Sequence, residues 1–241
     1  MQRAPQKILD RLSEFDSATL SNAVVENMGG TQGGKELEGK GGYPENYTGP
    51  EVLCMLPELG RAVGYAVTAE LTPVDPDPPA IPWSEFYEVI DRTPSPVIAV
   101  FKDVGSRPGR GAAFGDNMAA VLKALGVTGS LIEGSARDLD GIKNIGLPIW
   151  ATGAVPGHGV FSLIRVNSSV TVAQLRVYPG DLLVCDNDGC IKIPAGHDPE
   201  DILRNANEIR TREREFQAVA RKPGFTLAQW TEFQQSHRPN S

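Results

Sequence analysis

Two strand-to-helix junctions gather the residue types that could handle a small charged substrate. The first is Gly109-Arg110-Gly111-Ala112-Ala113-Phe114-Gly115-Asp116-Asn117-Met118. Glycines there let the backbone approach a ligand closely, and the amides that open the following helix carry the positive end of its dipole. Such a place suits a carboxylate or an enolate oxygen. It is not a dinucleotide fingerprint, because the spacing differs from G-x-G-x-x-G. A plain helix entry with Asp116 as its cap explains the same residues. The second junction is Glu133-Gly134-Ser135-Ala136-Arg137-Asp138-Leu139-Asp140. Arg137 can grip a carboxylate with two parallel hydrogen bonds. Asp138 can offer oxygen to a hard cation such as Mg²⁺, which keeps several waters and needs only one or two protein carboxylates. A surface Arg–Asp pair is the structural alternative. Taken together the junctions say more, since both lie beyond the carboxyl ends of strands in adjacent units, where open α/β sheets collect ligands. A 2-oxo acid held on a cation by its keto and carboxylate oxygens would use the amides, both carboxylates and the guanidinium.

Other candidates carry less. Glu213 occupies a position between Ile209 and Phe216 where an apolar residue is expected on a helical stripe. A Glu there either sits at the rim or is aimed at something specific. Cys185 and Cys190 flank Asp186-Asn187-Asp188-Gly189, but no second ligand pair exists for a zinc site. The same four residues lack the downstream Glu of a calcium loop and read as a turn between two apolar strands. His158 is a lone loop histidine, and with only His197 and His237 besides, no Ser–His–Asp set is suggested. Neither junction contains a lysine, which argues against a Schiff-base mechanism.

The elements that must position these residues follow from periodicity. Helices are expected over Ile8–Phe15 and Ala18–Met28, with Asp16 and Ser17 as cap residues between them. Residues 29–60 are crowded with glycine and read as a functional insertion near the site, a subunit contact or a solvated flap. A strand is expected over Ala62–Thr68. Residues 72–84 hold five prolines and exclude a regular element. A helix over Trp83–Asp91 precedes Val97–Phe101, a continuous apolar strand of the kind buried on both faces. Then come a helix over Asp116–Leu125, a strand at Ser130–Glu133, a short helix over Asp138–Asn144 ended by Gly146, and a strand at Pro148–Ala151. Further strands are expected at Val160–Val166, Val170–Leu175, Leu182–Cys185 and Cys190–Ile193, and an amphipathic helix over Asp198–Arg221. Alternating strands and helices indicate a layered α/β fold.

Bulk properties bound the function. The chain has 241 residues, 40% hydrophobic and 22% charged, enough for a sizeable core. Its formal charge of -7, with scattered Lys and Arg, argues against general nucleic-acid binding. The N-terminus has no apolar run of signal-peptide type, and no stretch reaches the roughly 18 apolar residues of a membrane span. Three cysteines are too few, and odd in number, for a disulfide framework, so a reducing cytoplasm is the default expectation.

The ordered series Gly115-Asp116-Asn117-Met118-Ala119, Gly126-Val127-Thr128-Gly129, Glu133 to Asp138, Gly146 to Ala151, and Pro179-Gly180-Asp181 with Asp186 to Gly189 resembles the RraA-like superfamily. Its enzymatic branch comprises the 4-hydroxy-4-methyl-2-oxoglutarate / 4-carboxy-4-hydroxy-2-oxoadipate aldolases. The likeness covers roughly residues 60–195. It implies one compact β/α domain over residues 1–241, with N-terminal helices and the Gly-rich insertion in 1–60 and a helical extension from 196. It implies homotrimers or homohexamers with sites between subunits, and a divalent metal, Mg²⁺ or Mn²⁺, anchored by Asp138. Arg137 would hold the pyruvyl portion and stabilise the enolate. Asp116 would hold water at the metal, and the Gly115 turn with the amides of Asn117 and Met118 would bind the substrate carboxylate. A Glu from a neighbour's C-terminal helix would complete the metal shell, Glu213 being the candidate. The family usually has an acid at the position of Asn22, facing the distal part of the substrate. Asn22 therefore leaves the substrate's identity open and the pyruvate chemistry intact. The implied activity is cleavage of a 4-hydroxy-2-oxo acid to pyruvate, with oxaloacetate decarboxylation through the same enolate. The superfamily also implies an alternative, a non-catalytic regulator that binds an RNA-degrading endonuclease. A non-catalytic binder of small acids is a third reading.

Overall fold

The computed structural model describes residues 3–30 and 46–236. Its centre is β2 (Ala62–Thr72), a strand buried along almost its whole length. On one side lie, in parallel, β3 (Val97–Asp103), β5 (Val127–Ala136) and β6 (Ile149–Ala154). The other side of β2 is shared by two antiparallel partners. Its first residues pair with β10 (Leu182–Asp186), and its last with β7 (Ser162–Val166). β10 turns through Asn187-Asp188 into β11 (Gly189–Ile193), as the turn sequence predicts.

The segment 46–54 nearly closes this sheet into a barrel. Tyr47 bridges to Ile191 of β11, and Leu53–Cys54 (β1) pairs with β6 at the opposite edge. Of the Gly-rich stretch 29–60, residues 31–45 lie outside the described residues. From Asn46 onward the stretch is a packed closing segment rather than a flap: Asn46 and Thr48 are buried, and Thr48 N–H donates to Cys190 O at 2.9 Å.

Alternation along β3 shows why both faces are covered. Val97, Ala99 and Phe101 join one core beneath α3 (Trp83–Arg92), α4 (Asp116–Ala124) and α5 (Leu139–Ile145). Ile98 and Val100 face the interior core with Leu131, Trp150 and Leu183. Successive strand side chains point to opposite faces, so an unbroken apolar run requires two apolar neighbours. A third core joins α1 (Gln6–Leu12), α2 (Ser17–Asn27) and the first half of α6 (Pro199–Ala220) to β10 and β11.

Four local expectations need correction. The strand expected over Val170–Leu175 is a hairpin, β8 (Val170–Val172) and β9 (Leu175–Val177). Its turn residues Ala173 and Gln174 have φ +44 and +67, and neither residue type signals such a turn. Inside the glycine junction lies a strand, β4 (Ala112–Phe114). After α6 comes a further helix, α7 (Leu227–Ser236), on which Phe233 packs at 5.4 Å from Phe216. Finally, Cys185 and Cys190, opposite each other on β10 and β11, are joined as a disulfide, contrary to the expectation drawn from three cysteines. No described helix is long and apolar enough to cross a membrane.

Candidate active site

The two junctions meet because of a change of partner along β5. β3 accompanies β5 as far as Lys102 opposite Glu133. Beyond that point β4 takes its place, with Ala112 opposite Ser135 and Phe114 opposite Ala136. Arg137 N–H donates to Phe114 O at 2.9 Å, so Gly115-Asp116 and Arg137-Asp138 leave the sheet side by side. The connecting loop is fixed from below by buried Asp103, whose carboxylate accepts from Gly105 N at 2.9 Å and Gly109 N at 2.8 Å. Burial pushes the Asp103 carboxyl above the usual range, although those two amides pull the other way. Ser135 Oγ adds a bond to Gly109 O at 2.7 Å.

At the start of α4, Gly115 is the cap and Asp116 the first helical residue, so Asp116 is not the cap that a plain helix entry would use. No side chain caps α4. Asn117 N–H donates to Asp116 Oδ1 at 2.7 Å. Met118 follows and is buried. Gly141 of α5 lies against the Asp116 carboxylate: a Cβ there would stand 2.7 Å from Oδ2. Only glycine leaves that carboxylate room.

Asp138 is the less ordinary residue. It caps α5 in the left-handed region, φ 58 and ψ 40, and makes no side-chain cap bond. Its Oδ2 instead lies 3.1 Å from Arg137 Nε, and both side chains stay about a third exposed, 31% for Arg137 and 39% for Asp138. A pair so exposed is worth at most about 1 kcal/mol, while a left-handed non-glycine costs about 1–2. The pair therefore does not explain the conformation, and strain of this kind collects at functional sites. Gly115 keeps the approach open, since a Cβ there would meet Asp138 Oδ2 at 3.1 Å.

These residues line a cleft of about 160 Å³, with Phe114, His158 and Phe161 among its other walls. Larger hollows exist elsewhere, but they collect none of the junction residues. Of the residues singled out in the sequence, Gly115, Asp116, Asn117, Met118, Arg137 and Asp138 come together. Asn22 and Glu213 do not. Asn22 lies on α2 and Glu213 on α6, helices packed against each other beside β10 and β11, and neither lines the cleft. Phe161 and Gly141 were not singled out. Gly141 had a local signal, a glycine inside a short helix. Phe161 had none, because β7 returns to the site only through its pairing with β2.

Residues 35–191 match the RraA-like family, described as Aldolase/RraA. The chain belongs to this family. Among RraA-like relatives, a protein of Halalkalibacterium halodurans provisionally named 4-hydroxy-4-methyl-2-oxoglutarate aldolase is 30% identical over 98 residues. That alignment covers 40% of this chain and just under half, 46%, of the relative. An uncharacterised protein of Methanocaldococcus jannaschii is 29% identical over 154 residues, 64% of this chain and 70% of that one. Among solved structures, an uncharacterised protein from Pseudomonas syringae superposes with a TM-score of 0.72 at 26% identity, covering 98% of this chain and 96% of the other. RraAS2 of Streptomyces coelicolor, titled an unusual member of the RNase ES inhibitor RraA protein family, gives 0.66 at 21%, covering 91% and 99%, and attests the shared fold.

Proposed function

We propose that this RraA-like protein is a lyase that cleaves the C3–C4 bond of a 4-hydroxy-2-oxo acid to release pyruvate, and that it also decarboxylates oxaloacetate. The observation that carries the reading is Asp138, held in a left-handed conformation, spared from capping, and set with Arg137 beside the uncapped start of α4. The provisional aldolase names of the relatives support it.

The donor set fits a divalent cation of the Mg²⁺ or Mn²⁺ kind. Among the described residues no three acidic, His or Cys side chains gather into a cage. Such a cation needs only one or two carboxylates and keeps its waters. Asp138 would be the main anchor, with Asp116 holding water nearby. Bound there, the cation would supply Lewis-acid polarisation of the 2-keto group.

The chain's own residues do the rest. Arg137 receives the carboxylate and the negative charge that grows on the enolate oxygen. The start of α4, the positive end of its dipole, adds support for the same charge. Asp116 orients the water that accepts the 4-hydroxyl proton. Oxaloacetate would lose CO₂ to give the same enolate, without that proton transfer. Assembly into trimers or hexamers would let Glu213 or Asn22 of a neighbouring copy reach the cleft that their own chain keeps them from.

The deciding experiment is pyruvate release from oxaloacetate and from 4-hydroxy-4-methyl-2-oxoglutarate, with Mg²⁺ and with EDTA. Release that EDTA abolishes supports the reading. No release from either substrate leaves a lyase for a different 4-hydroxy-2-oxo acid or a binding protein of the regulator type.

A further inference from the structure

The cleft is lined by charged residues, Asp116, Arg137 and Asp138, and also by the apolar Phe114, Met118 and Phe161. Phe161 is set in place by several constraints. Its backbone takes φ +57, uncommon for a bulky residue. Trp83 Nε1 donates to its carbonyl at 3.2 Å, and the two rings stack with centroids 4.8 Å apart and planes within 9°. His158 meets Phe161 edge-on at 6.3 Å, and its Nδ1 lies 2.7 Å from Gly159 O. Among the described residues lining the cleft, Arg137 is the one guanidinium or ammonium group, and Asp138 already engages it. If Arg137 serves the pyruvyl end, a second carboxylate at C4 would meet the carboxylates of Asp116 and Asp138 and aromatic carbon.

We infer that the preferred substrate carries an apolar group, alkyl or aryl, on C4, and that this group packs on Phe161 and Met118. The inference rests on the lyase reading and names its substrate class. In R–CH(OH)–CH₂–CO–COO⁻ the C3–C4 bond breaks and its electron pair stays on C3 as pyruvate enolate. The hydroxyl proton passes to the water beside Asp116, R leaves as its aldehyde, and C3 then takes a proton to give pyruvate. Phe161 is a specificity-determining residue in this scheme, because buried apolar contact discriminates between substituents of different polarity.

The test uses the full chain with Mg²⁺ and two substrates that share one head, 4-hydroxy-2-oxo-4-phenylbutanoate and 4-hydroxy-2-oxoglutarate, with oxaloacetate as reference. Pyruvate release should favour the phenyl compound in kcat/KM by about tenfold or more. Phe161→Ala should bring that ratio towards parity, and Phe161→Leu, which keeps an apolar surface, should retain most of it. Equal use of the two, preference for the diacid, or a ratio untouched by Phe161→Ala overturns the inference and leaves the lyase reading standing. Pyruvate from none of the three substrates removes the lyase reading and this inference with it.

Discussion

Aspartates stand near helix starts at both ends of this molecule, and they are used in opposite ways. Beside β10, Asp186 and Asp16 are committed to structure. Asp186 is buried and accepts from Ser17 N at 2.6 Å, Ser17 Oγ at 2.7 Å and Asp188 N at 3.0 Å. The adjoining backbone takes part too, as Trp150 Nε1 donates to Asp186 O at 2.5 Å. Asp16 caps α2 through Thr19 N at 2.7 Å and Thr19 Oγ1 at 2.9 Å. At the cleft, Asp138 makes no side-chain cap bond, and among the described residues Asp116 accepts from its neighbour's amide alone. A satisfied buried carboxylate stabilises, because removing it strands its donors. A carboxylate kept half in solvent and in a strained backbone contributes little to stability and stays available to a ligand. Residue type is the same; commitment differs.

Substitutions can break this comparison. The largest effect is expected at the cleft. Asp138→Gly should lower kcat/KM for pyruvate release by about a hundredfold or more, since a preorganised charged group is lost. The same variant should unfold at an equal or slightly higher temperature, because glycine removes a left-handed penalty of about 1 kcal/mol. Retained turnover would show Asp138 to be a structural residue after all.

Next in size is Asp186→Ala. It should cost about 2–3 kcal/mol in denaturant unfolding, as donors to a charged acceptor are left unpaired, and preserve turnover where the variant is folded. A loss of turnover without a loss of stability would mean the two ends are not separate.

Asp16→Ala should cost about 1 kcal/mol, the ordinary worth of a helix cap. Burial raises the Asp16 carboxyl, but the bonds from Thr19 outweigh it and hold it below its ordinary value. A depressed carboxylate stabilises fully above its unfolded value of about 3.9 and loses that contribution as pH falls through the lowered folded value. The gap between Asp16→Ala and the parent protein should therefore be widest near neutral pH and close below about pH 4. Unfolding measured across that range checks the sign; a gap that widens in acid would contradict it.

Much of the architecture was legible because its signals are local. The apolar run Val97–Phe101, the cap at Asp16, the stop at Gly146 and the turn at Asn187-Asp188 each depend on a few adjacent residues. What misled was equally local. Ala173-Gln174 carries no turn chemistry, yet the barrel folds the chain there, with Ala173 N–H donating to Glu133 Oε2 at 2.6 Å. The joined cysteines likewise follow from strand pairing rather than from their number.

By itself the sequence determined the alternation of strands and helices, the two glycine-bearing junctions, and the residues Gly115, Asp116, Arg137 and Asp138 as those with chemistry to offer. Period, cap and turn are properties of neighbours in the chain, so they can be read along it. Only the tertiary structure decided that β4 replaces β3 along β5, which sets one junction against the other. It also decided that β7 returns along β2 to place Phe161 in the cleft, and that Asn22 and Glu213 belong to a different layer. Those outcomes depend on hydrogen bonds and packing between segments far apart in sequence, which no local spacing encodes.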